Sequence, residues 1–175
     1  MRPYLDELSR RGLDAHALKL PRGSAERAVG ALRAQVGEDL PRSIIGGHSF
    51  GGRVASLVAA ESPPAGLVLL SYPLHRPGHL EELRVDHWAE IACPVLLLSG
   101  ERDQFARVEL LREAVGRLPH AELHVYPGLR HGLTSVARDV GERIAAFAGG
   151  LAQPEPSTRS LRGRGAARSG RGSRP

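Results

Sequence analysis

Apolar positions recur along the chain with two alternating periods. In YLDELSRRG, Tyr4, Leu5 and Leu8 share one helical face and Gly12 marks a stop. DAHALKL, residues 14–20, sets Ala15, Ala17 and Lys19 against His16, Leu18 and Leu20, a period of two that predicts a strand ending before Pro21. SAERAVGALRAQVGE returns to the helical period, with Ser24 as N-cap and Ala28, Val29, Leu32 and Val36 in one stripe. RSII reads as a short strand and FGGRVASLVAAE as a helix. GLVLLSY and PVLLLSG are apolar without alternation, which is expected of strands buried on both faces. A helix (FARVELLREAVGRL), a strand (AELHVY) and a closing helix (SVARDVGERIAAFAGGL) follow. This alternation predicts an α/β fold: a doubly wound, mostly parallel sheet with helices on both faces.

The pattern stops near Leu151. Residues 152–175 have no aromatic and almost no large apolar side chain, so they cannot bury enough surface to offset the entropy of ordering, and a disordered Arg/Gly/Ser/Pro-rich tail is expected there. The expected domain is therefore 1–151. This division also disposes of the charge. The chain carries a formal +5, but the tail holds six arginines and one acid, Glu155, and accounts for all of it. Residues 1–151 are neutral, with no basic excess to meet phosphates, so nucleic acid is expected as a partner only through the tail. No apolar run reaches the ~18 to 20 residues of a membrane helix, and MRPYLDELSRRG lacks the apolar stretch of a secretory signal. The lone cysteine, Cys93, permits no internal disulfide and suits a reducing, cytoplasmic compartment; beside Pro94 it is expected in the core.

In open parallel sheets ligands bind outside the carboxyl ends of the strands. Three strands end in polar residues there. Ser49 follows SIIGGH, Asp103 follows PVLLLSGER and His131 follows HVYPGLR. Gly47-His48-Ser49-Phe50-Gly51 is G-x-S-x-G between a strand and a helix, the setting of a nucleophile elbow. Such a turn strains the serine and crowds its neighbours, so small residues are expected two before and two after, here Gly47 and Gly51. It also sets the hydroxyl at a helix N-terminus, where the Phe50 amide is the expected oxyanion donor. Serine needs a base. Of eight histidines, His131 is favoured by its loop after the last strand, with His75 second. The base needs an acid to orient it; Asp103 is favoured, with Glu101 its rival. His48, Tyr72, His75 and Trp88 are the candidates to contact a substrate, with Trp88 read in the first place as packing on the core. No metal site is expected.

Four segments, GGHSFGGRVAS, GLVLLSYPLHRPG, PVLLLSGERDQF and YPGLRHGL, together resemble the α/β-hydrolase superfamily, and within it small bacterial hydrolases similar to dienelactone-hydrolase-like proteins. The resemblance covers residues 1–151. It implies a Ser-His-Asp hydrolase of small esters, thioesters or lactones that works through an acyl-enzyme without a cofactor, with Ser49 as nucleophile, His131 as base and then acid, and Asp103 as orienter. Relatives also carry an upstream strand with a Gly-rich loop that supplies a second oxyanion donor, lying between the strands expected at 14–20 and at SII. The resemblance thus implies a partial fold lacking the first strands, with a start upstream of Met1 in the natural protein or, alternatively, a shortened relative with a rearranged sheet. Two other functions stay open: a non-catalytic binding domain on the same fold, and an RNA-associated protein acting through its tail.

Overall fold

The computed structural model describes residues 1–152, so the segment expected to be a disordered tail lies, apart from Ala152, outside the described residues. Four strands form one parallel sheet: β1 (Ile44–His48), β2 (Gly66–Leu70), β3 (Val95–Gly100) and β4 (Ala121–Tyr126), in that spatial order. One row of the register runs Ile45, Leu67, Val95, Ala121. Among the described residues five α-helices accompany them: α1 (Arg2–Ser9), α2 (Ala25–Val36), α3 (Phe50–Glu61), α4 (Val108–Val115) and α5 (Ala137–Ala152).

The uninterrupted apolar runs are explained by two cores. Every residue of β2 and β3 is buried. Because successive side chains point to opposite faces, Leu67, Leu69, Val95 and Leu97 pack with Val29 of α2, Val54 and Val58 of α3 and Leu111 of α4. Val68, Leu70, Leu96 and Leu98 pack with Tyr4 of α1 and Val140 and Ile144 of α5. Each fully buried leucine contributes ~1.5–3 kcal/mol of transfer free energy. The outer strands β1 and β4 carry mixed burial instead. Helices therefore cover both faces. Cys93 is a buried member of the first core, and burial pushes its thiol up to about 11. Among the described residues no helix is long and apolar enough to cross a membrane.

Local signals act largely as read. Gly12, at φ +74°, turns the chain after α1 so that the Leu13 N–H donates to the Leu8 carbonyl at 3.1 Å. Ser24 takes the N-cap position of α2 in an extended conformation, but its hydroxyl makes no cap bond.

The strand expected at residues 14–20 does not form. The segment joins no sheet among the described residues. It runs between α1, which packs on one face, and α2, which packs on the other. Period-two alternation makes a strand only where a neighbouring ladder satisfies the backbone, and here the Lys19 N–H and carbonyl meet the Gln35 side chain, at 3.3 and 2.9 Å. Leu18 is left 39% exposed.

Candidate active site

The end of β1 and the start of α3 leave one residue for the turn, Ser49. Its backbone is at φ 51° and ψ −114°, a strained conformation for a residue with a Cβ. The Ser49 N–H donates to the Leu70 carbonyl at 2.9 Å, and its own carbonyl accepts from Arg53 at 3.1 Å, so sheet and helix together hold the turn. The glycines make this possible, although not as the motif suggests. A Cβ on Gly47 would lie 2.6 Å from the Gly51 carbonyl carbon, and one on Gly52 would lie 2.8 Å from the Gly47 oxygen. A Cβ on Gly51 would meet nothing within 4 Å. The tight pair is Gly47 with Gly52, because strand and helix touch backbone to backbone there.

Ser49, His131 and Asp103, separated by up to 82 positions, meet above the sheet. His131 Nδ1 lies 2.8 and 2.9 Å from the two Asp103 oxygens, and Nε2 lies 2.8 Å from Ser49 Oγ. A carboxylate only accepts, so Nδ1 carries the proton and donates, which leaves Nε2 free to accept from the serine hydroxyl. Asp103 Oδ1 also accepts the Phe105 N–H at 2.8 Å. The Asp103 side chain is fully buried, whereas that of His131 keeps 19% exposure. Phe105 covers one side of the imidazole, with ring centroids 4.6 Å apart.

Glu101, the rival acid, has another partner. Its Oε2 accepts the Gly128 N–H at 2.8 Å, which holds the loop carrying His131 against the end of β3. The Arg102 N–H donates to the Leu129 carbonyl of the same loop at 2.8 Å.

The other sequence candidates divide. His48 is half-buried at the end of β1, its Nε2 2.9 Å from the His131 carbonyl oxygen. Burial and the neighbouring His131 hold its pKa below the ordinary imidazole value, against the pull of the hydrogen bond. His75, the second choice of base, is buried and bonded to groups other than Ser49. Its Nδ1–H donates to the Arg76 carbonyl at 2.9 Å, and its Nε2 accepts from the Arg107 N–H at 3.1 Å. With both nitrogens committed it has no lone pair for a substrate or a serine. Tyr72 and Trp88 are core residues rather than substrate contacts. They pack edge to face at 5.0 Å, and the Tyr72 hydroxyl donates to the Arg84 carbonyl at 2.6 Å.

A cleft of about 510 Å³ opens beside the acid, with His75, Leu80, Arg102, Asp103 and Arg107 among its walls. Neither Ser49 nor His131 is among its walls, so it adjoins Asp103 rather than Ser49. On an exposed loop His79, Glu81 and Glu82 offer atoms within 4.8 Å of one another, the composition of a metal site, but Glu82 is already ion-paired with Arg76. Sequence reasoning missed Phe105, Glu101 in its actual role, and Gly100. Gly100 alone carried a signal, as a glycine closing an apolar strand just before the acid.

Residues 4–146 match the family model described as the alpha/beta hydrolase domain. The fold is similar to that of a thermophilic esterase from Thermogutta terrifontis (TM-score 0.66, 15% identity, covering 87% of this chain and 85% of that one). A monoacylglycerol lipase from Paleococcus ferrophilus is also similar (TM-score 0.63, 15% identity, covering 74% and 77%). So is a proline iminopeptidase from Mycobacterium smegmatis (TM-score 0.62, 13% identity, covering 86% and 85%). At these identities the likeness speaks for the fold, and the family match carries the assignment: the chain belongs to the alpha/beta hydrolase domain family.

Proposed function

We propose that this chain, through residues 1–151, is a serine hydrolase that cleaves a small ester, thioester or lactone by way of an acyl-enzyme. The observation that carries the reading is His131 bridging Ser49 Oγ and the Asp103 carboxylate at 2.8 Å on either side. In the first step Ser49 Oγ attacks the acyl carbon while His131 Nε2 takes the hydroxyl proton. The carbonyl oxygen becomes an oxyanion, and the Phe50 N–H at the start of α3 is the donor proposed for it, helped by the helix dipole. Collapse expels the alkoxide or thiolate, which receives the proton from Nε2. Water then attacks the acyl-enzyme, giving its proton to the same nitrogen, and the carboxylic acid and free serine are regenerated. Asp103 stays ionised throughout; it keeps the proton on Nδ1 and stabilises the imidazolium. The lone, buried Cys93 suits a cytoplasmic setting.

The test is covalent labelling with a fluorophosphonate probe, which needs an activated serine but no knowledge of the substrate. Ser49 is expected to be the labelled residue, Ser49→Ala to abolish labelling, and Asp103→Asn to slow it by about 10⁴. A folded chain that takes no label would instead support a non-catalytic binding domain on the same fold.

A further inference from the structure

The strands that carry the nucleophile and the base lie on opposite edges of the sheet. Ser49 follows β1 and His131 follows β4, with β2 and β3 between them. At ~4.8 Å per strand the ends of β1 and β4 are about 14 Å apart, so the loop after β4 must reach back across two strands to present the imidazole. Its anchors are unevenly spread. The Glu101 carboxylate holds the Gly128 N–H, and the Arg102 N–H holds the Leu129 carbonyl. Both anchors sit at the end of β3. Among the described residues, the backbone hydrogen bond that ties the far end of the loop to β1 is the one from His48 Nε2 to the His131 carbonyl, at 2.9 Å.

A carbonyl oxygen accepts only, so His48 carries its proton on Nε2 and donates. The ring also packs against the base itself, with centroids 5.0 Å apart and planes inclined at 59°. The residue immediately before the nucleophile therefore grips the backbone of the base and one side of its ring, while Phe105 holds another part of the same ring.

We propose that His48 is a positioning residue for the base: its Nε2–H bond to the His131 carbonyl fixes the backbone from which the imidazole spans the sheet to Ser49. This rests on the reading of Ser49 and His131 as nucleophile and base. A shift of about 1 Å in such a pair is enough to cost 10²-fold in rate, and although Leu133, two positions on, is buried in the second core, the His48 bond is the one that grips the backbone of His131 itself. The lowered pKa of His48 is compatible with this role, since the neutral ring carries a single proton.

The experiment compares His48→Gln, whose amide N–H reaches the Nε2 position, with His48→Leu and His48→Met, which fill space without donating. The fluorophosphonate labelling rate of Ser49 is expected to fall about 10- to 100-fold in the Leu and Met variants and to recover to within a few-fold of wild type in Gln. Melting temperatures that are alike across the three variants would separate positioning from general destabilisation, and having two non-donating variants guards against one that fails to fold. A second readout does not need a reactive serine: the NMR resonance of the His131 Nδ1 proton on Asp103, identified by its loss in His131→Gln. It is expected to be sharp in wild type and in His48→Gln, and broadened by exchange in Leu and Met. Labelling of wild type with equal rates in all variants, or a Gln variant no better than Leu, would overturn the role of His48 while leaving the hydrolase reading intact. If wild type takes no label, the hydrolase reading fails and the resonance alone decides the positioning.

Discussion

Gly100 lies directly beneath Arg130: a Cβ on this last residue of β3 would stand 2.2 Å from the Arg130 carbonyl oxygen and 2.4 Å from that of Leu129. The chain carrying His131 thus runs against the bare backbone of the strand that leads to Asp103. Gly100→Ala is expected to lift that loop, because both obstructing atoms are backbone and cannot rotate aside. Labelling of Ser49 should slow by at least about tenfold, with a lower melting temperature. Gly132→Ala, in the same loop but with nothing within 4 Å of its Cβ, should change little. Similar labelling rates in the two variants would mean that the close approach does not set the position of His131.

The elbow makes a contrast within one motif. Gly47→Ala would drive a methyl group to 2.6 Å from the Gly51 carbonyl carbon, in a contact where strand and helix backbones already touch. Overpacking of this kind costs ~1–3 kcal/mol, read as a lower urea midpoint. Gly51→Ala puts its methyl in open space within the first turn of α3 and replaces a poor helix former. Its stability should hold or rise, by up to ~1 kcal/mol, and its midpoint with it. Equal losses at the two positions would contradict the asymmetry.

The strands were legible because burial on both faces leaves a distinctive run: GLVLL and VLLL have no polar interruption. The residues that meet above the sheet could be read from their places at strand ends, since a parallel sheet puts those ends on one rim. What failed was whatever depends on a neighbour that sequence does not name. Residues 14–20 alternate like a strand but have no ladder to join. Tyr72 and Trp88 are polar enough for a pocket, yet each finds the other in the core. Glu101 and Asp103 are two residues apart and both carry a carboxylate. Only the turn after β3 decides which carboxylate faces His131 and which holds Gly128.

His75 tests the difference between a histidine that reacts and one that braces. Replacing it by leucine leaves the Arg107 N–H and the Arg76 carbonyl, whose bonds to this buried ring are part-buried, without their partner. Each unsatisfied group costs ~1–3 kcal/mol, so His75→Leu should be distinctly less stable to urea. Below the onset of unfolding, its rate of Ser49 labelling should stay within a few-fold of wild type. Loss of labelling in a folded His75→Leu chain would restore this residue as a candidate base.

Acid sensitivity should be set in part by His87, in the short turn packed on α3. Its Nε2 lies 2.8 Å from the Oγ of Ser56, which itself donates to the Arg53 carbonyl, so the short turn at Asp86–Glu90 is pinned to α3. Burial, and then the positive charge of Arg53, hold the His87 pKa down to about 4 from an ordinary 6.5, while Asp86 and Glu26 pull weakly the other way. Between those two values the unfolded chain binds a proton that the folded chain refuses. Stability from this group is therefore complete above about pH 6.5 and declines as pH falls towards about 4. His48 and His124 are shifted in the same direction and add to the slope. Glu26, held down to about 2 by a backbone N–H and Arg53, contributes only below the ordinary carboxylate value of 4.5. Urea midpoints measured from pH 7.5 to 4.5 should therefore fall more steeply for wild type than for His87→Gln, which keeps a donor but cannot titrate. Parallel slopes would show that His87 takes up its proton in the folded chain as readily as in the unfolded one, and that burial and Arg53 do not hold its pKa down.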